Sequence, residues 1–335
     1  MALTAMARPD FRTISAFRKR HLAALAGLFL QVLALCRQAG LVQLGHVALD
    51  RTKIKANASK HKAMSYRRMA AAEAAPEAEI GAWLAQAEPL MPPKTPNMGR
   101  SGVAMRRRTG CTTSNAAWRR SAPRKAALEA EAQAPERYRG GRKAKRPPGQ
   151  PRATAQRNFT DPESRIMKAK DGFVQACNAQ AAVDAHGQIA VACTLTNNAA
   201  DQAELGPLLD PIAAGLGGSP KEISADVGYC SEANLETLAA RGIRGYVATG
   251  RQKHPATGAA QRRGPLVDAM RTRLGRAGRR TRYRRRKQTV EPVIGPIKQA
   301  RGFRQFLRRG LAKVSAEWAL ICTAHNLTKP VRVTG

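Results

Sequence analysis

The chain has 335 residues, enough to bury a substantial core in one large domain or two. Its 58 Lys and Arg residues outnumber its 23 Asp and Glu residues, and the net charge of +35 argues against an ordinary soluble enzyme and favours nucleic acid as partner over an anionic membrane surface or a role in packing RNA. The six cysteines are scattered without a C-x-x-C pair, which argues against a zinc ribbon and a disulfide framework and fits a reducing cytoplasm.

The N-terminal segment is predicted to be helical from about Phe11 to Gln38, with Gly40 as the stop. Its apolar residues recur at helical spacing, which indicates a buried helix. The apolar run from Leu22 to Cys36 is too short to span a membrane and has no small-residue cleavage site after it. We therefore expect no membrane association.

A strand is predicted from Leu41 to Asn57. An apolar run ends at Asp50, and from residue 52 the less polar side chains of Thr, Ile and Ala then alternate with Lys, Lys and Asn. Residues 60–88 are predicted to be largely helical, with a break at Pro76. Residues 89–128 contain no acid, and Pro92, Pro93, Pro96 and Gly99 should break any helix. This stretch is either a flexible DNA-contacting loop or a segment translated in a shifted frame. Residues 138–156 have the composition of a basic, disordered linker.

The remainder of the chain predicts an α/β sheet with mixed strand directions. A β-hairpin is expected, because two strand-like runs flank the turn Asp184-Ala-His-Gly-Gln. Helices and further strands then alternate to the C-terminus. The hairpin strands are expected at 172–184 and 188–196, further strands at 222–226 and 246–248, and helices at 201–216, 231–241 and 318–327.

Three carboxylates stand in distinctive settings. Asp50 ends an apolar run within a predicted strand, Asp226 ends another predicted strand, and Glu291 follows the basic run Arg-Tyr-Arg-Arg-Arg-Lys at 282–287. Convergent carboxylates bind Mg²⁺, and two divalent ions about 3.5–4 Å apart assist phosphodiester cleavage and strand transfer. Asp184 also follows an apolar strand, but its place in the hairpin turn favours a structural role. We therefore expect metal-dependent chemistry on a polyanion.

The segment around Glu291 is predicted to be helical. Lys287, Glu291 and Lys298 are spaced i, i+4 and i+11, which places them on one helical face. Because Pro292 would kink a helix that runs through it, the helix is expected to begin near Thr289. The arginine run at 276–287 is expected to contact phosphates.

Five segments of the chain closely resemble bacterial insertion-sequence transposases of the DDE class. The resemblance covers nearly the whole chain except about 90–122. Its segments are Val-Ala-Leu-Asp-Arg-Thr-Lys-Ile-Lys-Ala-Asn-Ala-Ser-Lys-His-Lys from 47, Ala-Asp-Val-Gly-Tyr-Cys-Ser-Glu-Ala-Asn-Leu from 225, Tyr-Arg-Arg-Arg-Lys-Gln-Thr-Val-Glu-Pro-Val from 283, Ala-Arg-Gly-Phe-Arg from 300 and Trp-Ala-Leu-Ile-Cys-Thr-Ala-His-Asn-Leu from 318.

The resemblance implies an RNase H-like mixed sheet flanked by helices, with a helical or irregular insertion after the first catalytic strand. It implies three regions: a helical segment at 1–40 left from a DNA-binding region, an RNase H-like catalytic domain at 41–59 and 160–330, and an insertion with a basic linker at 60–159. Relatives carry more N-terminal residues, so the resemblance also implies an N-terminal truncation.

The resemblance further implies a catalytic, metal-binding triad of Asp50, Asp226 and Glu291 that uses Mg²⁺, with Mn²⁺ as a substitute. It implies double-stranded DNA as partner, at the element ends and at the target, bound by a homodimer in the bacterial cytoplasm. The DNA-binding residues it implies are Tyr283, Arg286, Lys287, Lys298, Lys53 and Lys55.

The sequence also departs from the family pattern. Lys298 is in register with Glu291 in the Y-x2-R-x3-E-x6-K signature, whereas Tyr283 and Arg286 each stand one residue early. Arg51 replaces the glycine that usually follows the first aspartate, and Pro296 is expected to interrupt the helix. Two alternatives to an active transposase therefore stay open: a truncated, inactive DNA-binding remnant and an RNase H-like nuclease.

Overall fold

A computed structural model describes residues 10–74, 110–133, 147–169, 172–250 and 264–334. The chain divides into two compact units, one formed by Met1–Ala58 with Glu163–Gly335 and the other by Ser59–Pro162.

The first unit is built on a six-stranded sheet. Its strands are β1 (His46–Lys55), β4 (Arg165–Ala169), β5 (Gly172–Asp184), β6 (Ala190–Thr196), β7 (Glu222–Ala225) and β8 (Arg244–Val247). The order is β4-β5-β1-β7-β8, and β6 also pairs with β5. β5 lies antiparallel to β4, β1 and β6, whereas β1, β7 and β8 are parallel. The sheet is therefore mixed, as predicted.

Helices flank this sheet. They are α1 (Phe11–Arg20), α2 (Leu22–Gln38), α4 (Leu205–Leu216), α5 (Glu232–Ala240), α6 (Pro265–Gly275), α7 (Ala277–Lys298) and α8 (Leu311–Thr334). Apolar side chains of α2 and α8 are buried in the core cluster, among them Leu33, Cys36, Trp318 and Cys322. The segment set apart at 1–40 thus packs, through α2, into the core of this unit. No helix in the described ranges is long and apolar enough to cross a membrane.

Two buried side chains, Asp184 and Trp318, have structural roles. Asp184 is fully buried, and its carboxylate accepts hydrogen bonds from the backbone N–H groups of Leu44 and His186, both at 2.8 Å. The Trp318 indole N–H donates to the carbonyl of Gln180 at 2.9 Å, which ties α8 to β5. The hairpin turn is therefore closed by a satisfied carboxylate, and the tryptophan belongs to the core.

The second unit has a short antiparallel ribbon of β2 (Ala63–Ser65) and β3 (Gln156–Asn158). A 3-10 turn at Lys60–Lys62 precedes β2, and a helical segment over 66–74 follows it. α3 spans Gly110–Gln133. Residues 110–128 are therefore helical and not part of a flexible loop. The helix breaks predicted at Pro76 and between Pro92 and Gly99 lie outside the described residues.

Several predicted boundaries need correction. His21 separates α1 from α2, so the N-terminal helix is two helices. β1 begins five residues after the predicted Leu41, at His46, and α4 begins at Leu205 rather than at 201. β2, β4 and α6 were not predicted. The predicted linker at 138–156 is described only from 147, where it has no helix or strand before β3.

Candidate active site

The sheet register places Asp50 beside Asp226. β1 and β7 are parallel neighbours, and Ala48 is paired with Ser224. Asp50 lies two residues after Ala48, within β1, and Asp226 lies two residues after Ser224, immediately after β7. Because neighbouring strands lie about 4.8 Å apart, the two carboxylates face the same point. They are close enough for the charge of Asp226 to raise the pKa of Asp50.

A single arginine balances the charge of Asp50. The Arg286 guanidinium lies 2.7 Å from Oδ2 of Asp50, and the Arg286 side chain is only 12% exposed. Burial raises the pKa of Asp50, although Arg286 and the backbone N–H of Arg51 at 2.8 Å oppose the rise. The same pair raises the pKa of Arg286 despite its burial. Arg286, predicted to bind DNA, is thus engaged inside the site.

The basic helix α7 continues without interruption from Ala277 to Lys298, with Pro292 and Pro296 inside it. The expected start near Thr289 and the expected interruption at Pro296 are therefore wrong. Pro292 has no N–H to donate to the carbonyl of Gln288 four residues earlier. The Gln188 side chain donates to that carbonyl instead, at 3.4 Å. The loop after β5 thus supplies a bond that the proline removes.

One stripe of α7 faces the sheet. Val290, Val293 and Ile297 are each about 1% exposed and belong to the core. Glu291 is next to Val290 and so points about 100° around the helix axis, where it is exposed. Among the described residues, no three His, Cys, Asp or Glu side chains are grouped closely enough to hold a metal ion. The structure therefore brings Asp50 and Asp226 together at the sheet. Glu291 lies on the exposed side of α7.

The predicted basic residues occupy different environments. The Lys298 ammonium donates to the hydroxyl of Thr52 at 2.9 Å and to the carbonyl of Lys53 at 3.2 Å, and burial lowers the pKa of Lys298. The Lys53 ammonium donates to the carbonyl of Lys168 at 2.5 Å. Lys287 and Lys55 are exposed.

Tyr283 stacks beneath a cation. The Arg286 guanidinium carbon lies 5.9 Å from the centre of the Tyr283 ring, a cation–π distance. Tyr283 is half-buried. Tyr283 and Arg286 are therefore in contact although each stands one residue early in the signature.

A buried network lies on the other face of β1, since successive strand residues point to opposite faces. Arg51 NH1 lies 2.5 Å from Oδ2 of Asp201, whose side chain is fully buried. Asn178 and Gln180 each donate to Oδ1 of Asp201 at 2.9 Å. Arg51 thus balances a buried carboxylate and leaves the face of Asp50 unobstructed. Sequence reasoning missed Asp201, because nothing local marks it as buried.

This network reaches the turn that carries Asp226. The Tyr229 hydroxyl donates to the Gln180 side chain, and burial raises the pKa of Tyr229 well above its usual range. A Cβ added to Gly228 would lie 2.1 Å from Oδ2 of Asp201, so only glycine permits this close approach. The 3-10 turn Val227–Tyr229 is therefore seated on Asp201, directly after the second aspartate.

The donor set fits a hard divalent cation. Mg²⁺ prefers oxygen ligands and is commonly bound by one or two carboxylates together with substrate phosphates. Asp50 and Asp226 supply two such groups side by side, and Glu291 is a third on the adjoining helix. No sulfur or imidazole ligand is required in this arrangement.

Comparison with known families decides the assignment. A family model described as a transposase DDE domain matches residues 141–327, more than half of the chain. The chain belongs to the transposase DDE domain family. The match includes Asp226 and Glu291, whereas Asp50 precedes it. No curated protein matches the chain.

Membership in the transposase DDE domain family agrees with the fold. The mixed sheet flanked by helices is consistent with the RNase H-like architecture that the resemblance implied. The family implies transposase chemistry on DNA, for which its members generally use divalent metals. The prediction of a DDE-class transposase is therefore confirmed at the level of the family.

Proposed function

We propose that this protein is a DNA transposase that binds the terminal inverted repeats of an insertion sequence. It cuts at the element ends in an Mg²⁺-dependent reaction and joins the freed 3′-OH ends to target DNA. Mn²⁺ substitutes for Mg²⁺. The observation that carries the proposal is the register of two parallel strands, which sets Asp50 beside Asp226 under the arginine-rich helix α7.

In this proposal Asp50, Asp226 and Glu291 hold the metal. Mg²⁺, when bound there, stabilises the charge that develops on the attacking and leaving oxygens. The sheet positions Asp50 and Asp226, and Glu291 would join them from the exposed side of α7. The buried Arg286 balances Asp50 until the carboxylate is used as a ligand.

The reaction has two balanced steps. In the first, a water oxygen forms a bond to phosphorus, the bond from phosphorus to the 3′ oxygen breaks, and that oxygen takes up a proton. In the second, the 3′-OH loses its proton and its oxygen forms a bond to the phosphorus of a target phosphodiester. The bond from that phosphorus to the target's own 3′ oxygen breaks, and the released oxygen takes up a proton. No redox partner is needed in either step.

DNA contact is assigned to two exposed cations, Lys287 on α7 and Lys55 at the end of β1, which are free to meet phosphates directly. Tyr283, Arg286 and Lys298 have partners within the protein and shape the surface around the site. Lys53 bonds the carbonyl of Lys168 and adds positive charge on the other face of β1. A homodimer is proposed because two element ends must be held together, and we place the protein in the bacterial cytoplasm, associated with the nucleoid.

The test is cleavage and joining of a duplex that carries the element end. Wild-type protein should cut it with Mg²⁺ and join the product to a second duplex, and Glu291→Gln should abolish both reactions. The control is Glu236→Gln, which makes the same change at an exposed residue of α5 and should keep full activity. Unchanged cleavage by Glu291→Gln would remove Glu291 from the triad.

The same assay separates two other functions. Cleavage without joining would identify a nuclease, and binding of the ends without cleavage would identify an inactive remnant. The second alternative is motivated by Arg51 and Pro296, which depart from the family pattern. In the structure, Arg51 forms an ion pair with Asp201, and α7 remains helical through Pro296.

A further inference from the structure

A second basic site lies at the opposite end of the central strands. A cleft of about 660 Å³ opens where β1, β7 and β8 begin, on the side of the sheet away from Asp226. Four cationic side chains line it: Lys221, Arg244, Arg282 and Arg285. The function proposed above uses none of these four residues.

A buried carboxylate orients two of the four cations. Glu222, the first residue of β7, is 8% exposed, and its Oε2 lies 2.6 Å from Arg282 while its Oε1 lies 3.3 Å from Arg244. His46 contacts the same carboxylate at 3.4 Å and Ser224 at 2.9 Å. Both guanidinium groups are thus held in place before any ligand arrives, which reduces the ordering cost of binding an anion.

The cleft keeps an excess of positive charge after this pairing. Its two carboxylates are already engaged, Glu222 with the two arginines and Asp184 with backbone N–H groups. Lys221 and Arg285 are exposed, and neither forms an ion pair with a described residue. Burial lowers the pKa of His46, although the hydrogen bond and the charge of Glu222 oppose this shift. Four cations thus face two carboxylates in the cleft.

The position of the cleft relates it to the catalytic carboxylates. Arg285, in the cleft wall, precedes Arg286, which pairs with Asp50. His46 and Asp50 are four residues apart on β1, or about 13 Å at 3.3 Å per residue. Along a duplex, at 3.4 Å per base pair, this distance is about four base pairs. One duplex can thus reach both sites.

We infer that this cleft binds the phosphodiester backbone of duplex DNA about four base pairs from the scissile bond. The inference rests on the proposed function, which makes DNA the substrate. It adds a fixed anchor, with Lys221 and Arg285 as the direct phosphate contacts and with Glu222 holding Arg244 and Arg282 toward the same strand.

The first test measures binding of a fluorescent 30-base-pair duplex in EDTA, where no cleavage occurs. Each lost phosphate contact lowers the slope of log K against log[salt] by about 0.9, so Lys221→Ala/Arg285→Ala should lower it by about 1.8. The affinity at physiological salt should fall on the order of tenfold. The control is Lys168→Ala/Lys313→Ala, which removes two exposed cations that lie outside the arginine run and do not line the cleft.

The second test needs no variant and so does not depend on a variant's folding. Acetylation of Lys221 in the wild-type protein is followed by mass spectrometry, with and without the duplex. Bound DNA should slow the acetylation of Lys221 at least fivefold. Inorganic phosphate, at an equal concentration of phosphate groups, should leave it unchanged.

Three results would overturn the inference. They are a control variant that loses as much salt dependence as the cleft variant, a Lys221 that reacts equally fast with DNA bound, and equal protection by inorganic phosphate, which would identify a small-anion site. Each can occur while the protein still cleaves element ends. A wild-type protein that binds no DNA would instead refute the proposed function itself.

Discussion

Removing Arg51 should destabilise the protein through a carboxylate on the far side of the sheet. Asp201 is fully buried, and its Oδ1 accepts hydrogen bonds from two side-chain amides. Among the described residues, its Oδ2 has only the ion pair with Arg51. Arg51→Ala leaves that buried charge without a cation. The predicted effect is a loss of stability rather than a direct loss of chemistry.

The magnitude follows from the exposure of the pair. Breaking a fully buried ion pair by removing one partner costs about 3–5 kcal/mol. The Arg51 side chain is 30% exposed, so water partly screens the pair, and we expect a cost of about 2–3 kcal/mol. For a domain of this size that cost lowers Tm by roughly 4–10 °C.

A double-mutant cycle checks this value. Free energies of unfolding from urea denaturation would be compared for wild type, Arg51→Ala, Asp201→Asn and the double variant. We expect Asp201→Asn to relieve most of the loss caused by Arg51→Ala, with a coupling energy of about 2 kcal/mol. If the two single changes simply add, the two side chains do not interact and the explanation given for Arg51 is refuted.

Two further predictions concern neighbouring parts of the site. Gly228→Ala forces a Cβ to within 2.1 Å of Asp201, so the rate of cleavage should fall at least tenfold. The control is Gly218→Ala, whose added Cβ meets nothing within 4 Å and should leave the rate unchanged. Equal rates for the two variants would refute the close contact between the turn 227–229 and Asp201. Burial lowers the pKa of His46 from its ordinary value of 6.5. As the pH falls below 6.5, the unfolded chain therefore binds a proton before the folded protein does. The free energy of unfolding decreases until the pH has passed the lower pKa of the folded state. In His46→Gln the unfolding free energy should vary less over this pH window, and an unchanged pH dependence would contradict the assignment.

The sequence predicts those parts of the fold in which local pattern and burial agree. The hairpin is an example. Its two strands are apolar or alternate between apolar and polar residues, and they flank a turn at Asp184 that contains Gly187. The two aspartates were found for the same reason, since each follows a buried run of strand residues. Asp50 follows such a run within β1 rather than ending the strand, and Asp226 follows the end of β7. Parallel pairing then brings them together, and the pairing follows from the alternation of helix and strand.

The errors arose where a distant contact overrides local preference. Pro292 predicts a helix boundary, but the side chain of Gln188, a hundred residues earlier, bonds the carbonyl that the proline leaves free. Arg51 departs from the family pattern beside the first aspartate, yet its partner Asp201 is 150 residues away and on the other face. No local pattern reveals either contact.

The amount of basic charge is counted directly from the sequence, whereas the environment of each arginine depends on the fold. The run at 282–287 reads locally as one surface, whereas Arg282 pairs with Glu222 and Arg286 with Asp50. Which arginines turn inward depends on the sheet beneath α7, and so on the strand order. Only the assembled fold separates the internal arginines from those that remain for DNA.

Metal rescue tests the central claim most directly. Asp226→Cys replaces an oxygen ligand by a thiolate, which Mg²⁺ disfavours and softer ions accept. We predict that cleavage of an end-containing duplex with Mg²⁺ falls at least about a hundredfold and recovers with Mn²⁺ or Cd²⁺, whereas the wild type keeps its Mg²⁺ activity. Full Mg²⁺ activity in Asp226→Cys, or a loss that no metal restores, would contradict a metal site at Asp226.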